Sequence, residues 1–216
     1  MKKMDFLPEE IENYVSDHTT SEVDLLSELN RQTHINILQP RMLSGHLQGR
    51  VLSTFSHMIR PKRVLEIGTY TGYSALCLAE GLIENGKIIT LDINKEIEPF
   101  TRSYFQKSKY GNLIDYLVGN AVEIIPTLQE NWDLVFIDAD KENYSLYFDL
   151  VFDKLKKGGF IIVDNVLWSG KVIGNVNKND DETMGIVSFN KKVHEDPRVE
   201  NVLFPVRDGL MVIRKR

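Results

Sequence analysis

Two short acidic clusters, Asp138-Ala139-Asp140-Lys141 and Asp164-Asn165, each follow a strongly apolar run, Asp133–Ile137 and Phe160–Val163. If those runs are neighbouring strands, Asp138, Asp164 and Asn165 bring three hard oxygen donors to one edge, with no sulfur or imidazole among them. Such a set suits Mg²⁺, Mn²⁺ or Ca²⁺, with positions left open for water or substrate. The five histidines offer no H-E-x-x-H or similar spacing, so zinc is not expected. The plainer alternative is that strand-end carboxylates cap the helices that follow, which is common for one acid and less so for this trio. Lys141, three residues beyond Asp138, could accept a proton if a nearby cation and partial burial lower its pKa. Taken alone, it reads more readily as a solvated surface lysine.

A second constellation is Glu66-Ile67-Gly68-Thr69-Tyr70-Thr71-Gly72-Tyr73-Ser74, at the end of the first strand-like run and opening a helix. Ligands of open α/β sheets bind at that end. A dinucleotide loop needs G-x-G-x-x-G, so that its backbone amides can wrap a pyrophosphate. Here the spacing is G-x-x-x-G, and Glu66 stands two residues before the first glycine. A carboxylate is a poor neighbour for phosphate and a suitable one for an amine or sulfonium cation. S-adenosylmethionine carries both cations and no phosphate. Asp92, ending the second run, stands where an acid can accept two hydrogen bonds from a ribose diol. The alternative is that Glu66, Gly68 and Gly72 form only a tight strand-to-helix turn.

The elements that must hold these groups alternate along the chain. Val64–Ile67, Lys87–Ile93, Ile114–Val118, Asp133–Ile137 and Phe160–Val163 are β-rich runs separated by helical segments, the pattern of βαβ units. Several are continuously apolar, as parallel strands covered by helices on both faces should be. After a polar loop come a helix near Ile186 to His194 and a hairpin, Val202–Phe204 and Leu210–Ile213, around Arg207-Asp208-Gly209. Residues 1 to 60 hold helical segments, one near Met42 to Ile59, read as a lid over a core of residues 61 to 216. With 216 residues, 42% hydrophobic and 26% charged, residues 1–216 are expected to form one α/β domain. Cys77, the single cysteine, lies in an apolar run and reads as core. Met1–Asp5 runs into an acid and then Pro8, so neither a leader nor a membrane span is expected, and a cytoplasmic protein follows. A formal charge of −5 argues against nucleic acid, although Arg214-Lys215-Arg216 is locally basic.

The chain resembles the cation-dependent O-methyltransferases that include the caffeoyl-CoA and catechol enzymes. The likeness runs from about Met42 to the C-terminus and is carried by Glu66–Ser74, Asp138–Tyr144, Asp164–Trp168 and Pro205–Gly209. It implies a Rossmann-like class I methyltransferase fold, with a mostly parallel seven-stranded sheet ending in the antiparallel hairpin. It also implies that Met42 and Ser44 line the cofactor pocket, Glu66 meets the methionine amine, and Gly68, Thr69 and Ser74 shape the loop. Asp92 would hold the ribose and Ala121 would lie beside the adenine. Asp138, Asp164 and Asn165 would be the metal ligands, Asp140 would lie near cofactor and substrate, and Lys141 would be the general base. A homodimer and a small phenolic or catechol acceptor are further implications. The loop Asn175–Met184 is shorter than in the plant enzymes, and Ser169 replaces an Asn after the Trp, which argues against a coenzyme A ester. Two rival readings remain: a methyltransferase acting on a hydroxyl of a modified uridine in tRNA, and a non-catalytic adenosyl- or dinucleotide-binding module.

Overall fold

The apolar runs become strands because each can bury its side chains on covered faces. Each fully buried aliphatic residue contributes roughly 1.5–3 kcal/mol by leaving water. The computed structural model describes residues 8–174, 176–177 and 179–216. The Met1–Asp5 stretch read above for a leader lies outside the described residues, as do Asn175 and Lys178 of the polar loop. Seven strands form a sheet in the order β3-β2-β1-β4-β5-β7-β6, the mostly parallel arrangement with antiparallel last strands that was expected. By packing, the chain divides into two compact units, Glu9–Ala121 and Val122–Arg216.

The first unit contains α1 (Glu9–Asp17), α2 (Asp24–Asn36), α3 (Gly45–Ile59), β1 (Arg63–Ile67), α4 (Tyr73–Ala79), β2 (Lys87–Asp92), α5 (Glu98–Lys107) and β3 (Ile114–Val118). The three strands are parallel, with Glu66 paired to Thr90 and Asp92 to Val118. Every residue of α4 is buried. Gly72 opens it at φ +88°, and a Cβ there would lie 2.5 Å from a ring carbon of Phe105, so only glycine fits. The helical reading of Met42 to Ile59 is split in two. A 3₁₀ turn, Pro40–Met42, ends at extended Leu43 before α3 begins. Leu29 of α2 and Leu52 of α3 are fully buried, and both helices pack on α4. Arg50 of α3 clamps Glu80 through two hydrogen bonds of 3.0 and 2.8 Å.

Ala121, the last residue of this unit, opens α6 (Ala121–Ile124). The second unit continues with β4 (Trp132–Ile137), α7 (Tyr144–Phe152), β5 (Leu155–Val163), α8 (Asp181–Glu195), β6 (Val199–Phe204) and β7 (Leu210–Lys215). Strands β4 and β5 are parallel neighbours, and β7 pairs antiparallel with both β5 and β6. Phe189 of α8 meets Tyr144 and Phe148 of α7 edge to face, at 5.6 and 6.3 Å between centroids. Asp180 caps α8 by accepting the Thr183 amide. Among the described residues, no helix is long and apolar enough to cross a membrane.

Candidate active site

At the end of β1 the backbone turns back on β2. The Gly68 and Thr69 amides donate to the Leu91 carbonyl at 2.9 and 3.1 Å, and the Gly72 amide donates to the Thr69 carbonyl at 2.8 Å. The Tyr70 amide donates to Asp92 Oδ2 at 2.6 Å. Four of the loop's amides are therefore committed within the protein, which removes the donors a pyrophosphate would require. Glu66 is fully buried, and its Oε2 accepts from the Thr90 hydroxyl, which in turn pairs with Thr69 at 2.6 Å. A carboxylate kept out of water at the mouth of a loop with no phosphate cradle fits a ligand bearing a positive charge. Asp92 also accepts from Asn94 N at 2.8 Å. Burial raises its pKa above the ordinary carboxylate value, and the Asn94 and Tyr70 amides oppose that rise.

The remaining residues assigned to the donor end are placed by their neighbours. The Tyr70 hydroxyl donates to Gln39 O at 2.8 Å, bringing the turn that ends at Met42 beside the loop. Met42 is about half exposed, whereas Ser44 and Ser74 are buried. Gly119 N donates to Asp92 O at 2.8 Å, which places Ala121 just past the same strand ends.

In the second unit, Ile137 pairs with Val163, and Asp164 N donates to Ile137 O at 3.0 Å, so Asp138 and Asp164 leave adjacent strand ends side by side. The adjacency that the sequence reading had to assume is thus present. Asp164 Oδ1 accepts the Asn165 amide at 2.7 Å, and Asn165 takes a left-handed backbone, φ +59°. Among the described residues, no group of three or more His, Cys, Asp or Glu side chains is placed to hold an ion. The candidate set therefore depends on the carboxamide of Asn165 as its third member. Two carboxylates and a carboxamide, all hard oxygen donors, fit a magnesium-like cation.

Lys141 is 7% exposed, and its Nζ donates to Asp138 Oδ1 at 2.9 Å. Burial alone would lower its pKa, but the Asp138 carboxylate and the Tyr144 hydroxyl outweigh burial and hold the ammonium above its ordinary range. Without a cation the value is therefore raised, whereas the sequence reading tied its depression to a nearby cation as well as to burial. The physical reason is that the burial comes with a carboxylate in contact. Asp140 is exposed and accepts from the Tyr147 hydroxyl at 2.5 Å and from the Asn143 side chain.

Two residues that sequence reasoning missed join this cluster. Tyr144 is fully buried, donates to the Asp164 carbonyl at 3.0 Å and lies under Lys141, so it ties the two acidic strand ends together. Asp208, in the β6–β7 turn, accepts the Ser169 amide at 2.5 Å through its side chain and the Leu167 amide at 2.9 Å through its carbonyl. Trp168 packs with Lys141 Nζ 5.7 Å and Lys171 Nζ 5.4 Å from its ring centroid.

The family described as O-methyltransferase matches residues 16–216. A caffeoyl-CoA O-methyltransferase of Mesembryanthemum crystallinum is 35% identical over 179 residues, covering 78% of this chain and 70% of that protein. The SAH-bound methyltransferase PaMTH1 of Podospora anserina superposes with a TM-score of 0.88 at 30% identity, covering 98% of this chain and 99% of that one. An O-methyltransferase from Bacillus cereus in complex with SAH gives 0.88 at 28% identity, covering 96% and 97%. These likenesses extend over the Gly68–Gly72 loop and the acidic strand ends alike, and the chain belongs to the O-methyltransferase family and is an O-methyltransferase.

Proposed function

We propose that the protein moves a methyl group from S-adenosylmethionine to a hydroxyl of a small catechol-like or caffeoyl-type phenol, with a divalent cation held by Asp138, Asp164 and Asn165. The observation that carries this reading is the meeting of Asp138, Lys141, Asp164 and Asn165 at the ends of β4 and β5. Glu66 would take the donor's amine, Asp92 its ribose hydroxyls and Ala121 the side of its adenine. Met42, Ser44, Gly68, Thr69, Ser74 and Asp140 would complete its surroundings. When bound, the donor supplies a methyl on a cationic sulfur. The cation supplies Lewis acidity that lowers the pKa of a hydroxyl.

This chain's own residues have three tasks. With Asp138 engaged by a cation, Lys141 would lose the partner that holds it charged, and its neutral Nζ would accept the phenolic proton, because a phenol with a pKa of about 10 is a weak nucleophile while protonated. Asp138 sets the charge of that amine. Trp168, set between two lysines, covers the cluster from water, as transfer between an anion and a sulfonium centre demands. The caffeoyl-CoA O-methyltransferase name of the relative supports a phenolic acceptor. The short segment Asn175–Met184 and Ser169 argue against the thioester portion. A cytoplasmic homodimer is part of the same proposal, and a single, buried cysteine suits a reducing compartment.

The test is a methyl-transfer screen of catechol, a caffeoyl ester and bulk tRNA, with and without Mg²⁺. Turnover of catechol or the caffeoyl ester that disappears on chelation is expected. Full activity after chelation, or in Asp164→Ala, would remove the cation from the mechanism, and methylation of tRNA alone would replace the acceptor.

A further inference from the structure

Tyr70 has a left-handed backbone, φ +48°, although it is a bulky residue. That conformation is an outlier for such a side chain and persists only where the surroundings over-determine it. Three hydrogen bonds do so here, all within the first compact unit. The Tyr70 amide donates to Asp92 Oδ2 at 2.6 Å, and the Tyr70 carbonyl accepts from the Thr101 hydroxyl at 2.8 Å. Its own hydroxyl donates to Gln39 O at 2.8 Å. The amide lies on one side of the N–Cα bond, and the carbonyl and side chain lie on the other. Anchoring both sides fixes φ, so the amide stays on Asp92 as long as the far side is held.

The consequence falls on the Asp92 carboxylate. Its Oδ2 accepts the Tyr70 amide and its Oδ1 the Asn94 amide, at 2.6 and 2.8 Å. An ionised carboxylate has about four lone-pair sites, two on each oxygen. One on each oxygen is taken by an amide and one on each is left, which matches the two O–H donors of a ribose diol. The last torsion of an aspartate is broad, so without the Tyr70 amide nothing in this pair of bonds holds Oδ2 in register with Oδ1.

We infer that Tyr70 is a positioning residue for the donor's ribose: its phenol, tied to Gln39, holds the left-handed backbone that keeps the Asp92 carboxylate turned to the diol. The inference rests on the proposed role of Asp92 in holding that ribose. It assigns Tyr70 no contact with the donor.

The experiment measures by calorimetry the affinity of the full chain for S-adenosylhomocysteine and for its 2′-deoxy analogue. The proteins are wild type, Tyr70→Phe, Tyr70→Ala and Tyr70→Gly. Alanine keeps the steric cost of a left-handed backbone, roughly 5–30-fold in population, and lacks the phenol that offsets it. Affinity for S-adenosylhomocysteine should fall by about that factor, since only the competent fraction binds. Glycine lacks the phenol too but adopts positive φ without strain, so Tyr70→Gly should recover most of what Tyr70→Ala loses. Tyr70→Phe keeps the ring and loses the bond to Gln39, and should fall between Tyr70→Ala and wild type. With the 2′-deoxy analogue, which offers Asp92 one donor fewer, the losses in Tyr70→Ala and Tyr70→Phe should both shrink.

Two plainer roles give other results. If Tyr70 only packed the loop, or only latched the turn at Gln39, alanine and glycine would lose affinity alike and both ligands would suffer equally. Either of those results, or wild-type affinity in Tyr70→Phe, overturns the inference. Tyr70→Phe retains the ring's packing, so its comparison between the two ligands decides the matter if Tyr70→Ala does not fold. Wild type separates this inference from the reading beneath it. If wild type binds S-adenosylhomocysteine more tightly than the 2′-deoxy analogue, a failure at position 70 belongs to Tyr70 alone. If wild type binds the two equally, the ribose is not held by Asp92, and the inference falls with that reading.

Discussion

A lysine buried against a carboxylate is held charged until that partner is otherwise engaged, and Lys141 is such a lysine. Its raised pKa has a consequence for stability. In the ion-free protein its pair with Asp138 stabilises the fold fully below the ordinary lysine value of about 10.4, and that contribution fades as the pH rises beyond it. For turnover, replacing Lys141 with Met should lower kcat by about 10²–10⁴ while leaving donor affinity nearly unchanged. Raising the pH should restore part of the rate, since a phenol with a pKa of about 10 then ionises with less help. The measurement is kcat against pH for both proteins, and a wild-type profile in Lys141→Met would leave Lys141 as an ion-pair partner only. Glu66 invites a parallel test. It is fully buried and bonded to Thr90, so Glu66→Gln keeps its size and most of its hydrogen bonding but removes its charge. Loss of a charge-assisted contact of about 1.5–3 kcal/mol should weaken S-adenosylmethionine binding by roughly 10–150-fold in calorimetry. Unchanged affinity would place the donor's amine elsewhere.

The elements carry the next level of control. In α4, Cys77 is fully buried, and burial pushes its thiol up to about 12 despite the Arg50 guanidinium, which acts to lower it. An unfolded thiol ionises near 8.5, so folding is favoured by the protonated form and that contribution is lost as pH rises from about 8.5 through 12. Thiol reagent at pH 8 should therefore label the native protein only through unfolding, and denaturant should accelerate labelling. Rapid stoichiometric labelling of the native state would mean that the α3–α4 packing opens readily. The same elements show what could be read from sequence. Ile114–Val118 is a strand as written, with Ile114 and Tyr116 buried and Asp115 between them exposed, the alternation of a strand with one covered face. Strand β5 was read from Phe160 only. Its start, Leu155 to Gly159, contains Lys-Lys-Gly-Gly with exposed residues and mimics a turn, yet it is strand with an irregular register against β4. The acids at the ends of β4 and β5 were legible because strand ends are local features. Tyr144 and Asp208 were not. Tyr144 looks like any apolar residue on a buried helix face, and Asp208 reaches Ser169 only through the antiparallel return of β7. The Arg207-Asp208-Gly209 turn between two runs was the one local signal that could have raised it.

At the scale of the whole molecule, charge bears on which acceptor can approach. A protein that methylates a nucleotide within tRNA must hold a polyanion, and each phosphate it neutralises releases counterions, so its affinity falls steeply with salt. This chain has 26 Lys and Arg against 31 Asp and Glu. Many of its exposed cations are already paired within their own unit: Lys87 with Asp115, Lys156 with Asp133, Lys192 with Asp149, Arg198 with Asp196, and Arg214 with Glu200. The basic C-terminal run is blunted in the same way, since Glu200 lies near both Arg214 and Arg216, and Lys215 donates to the Phe152 and Leu155 carbonyls. Exposed pairs contribute little to stability, but each reduces the charge offered to a phosphate backbone. Filter binding of bulk tRNA at about 0.15 M salt should accordingly detect no saturable complex. Lowering the salt should produce at most weak association with a shallow dependence of log K on log salt. A small uncharged phenol should behave oppositely, with a KM nearly independent of salt, because no counterions are displaced when it binds. A steep negative slope for tRNA, together with methyl transfer to it, would mean that the cations are redistributed on contact with RNA, and the acceptor would then be a nucleotide.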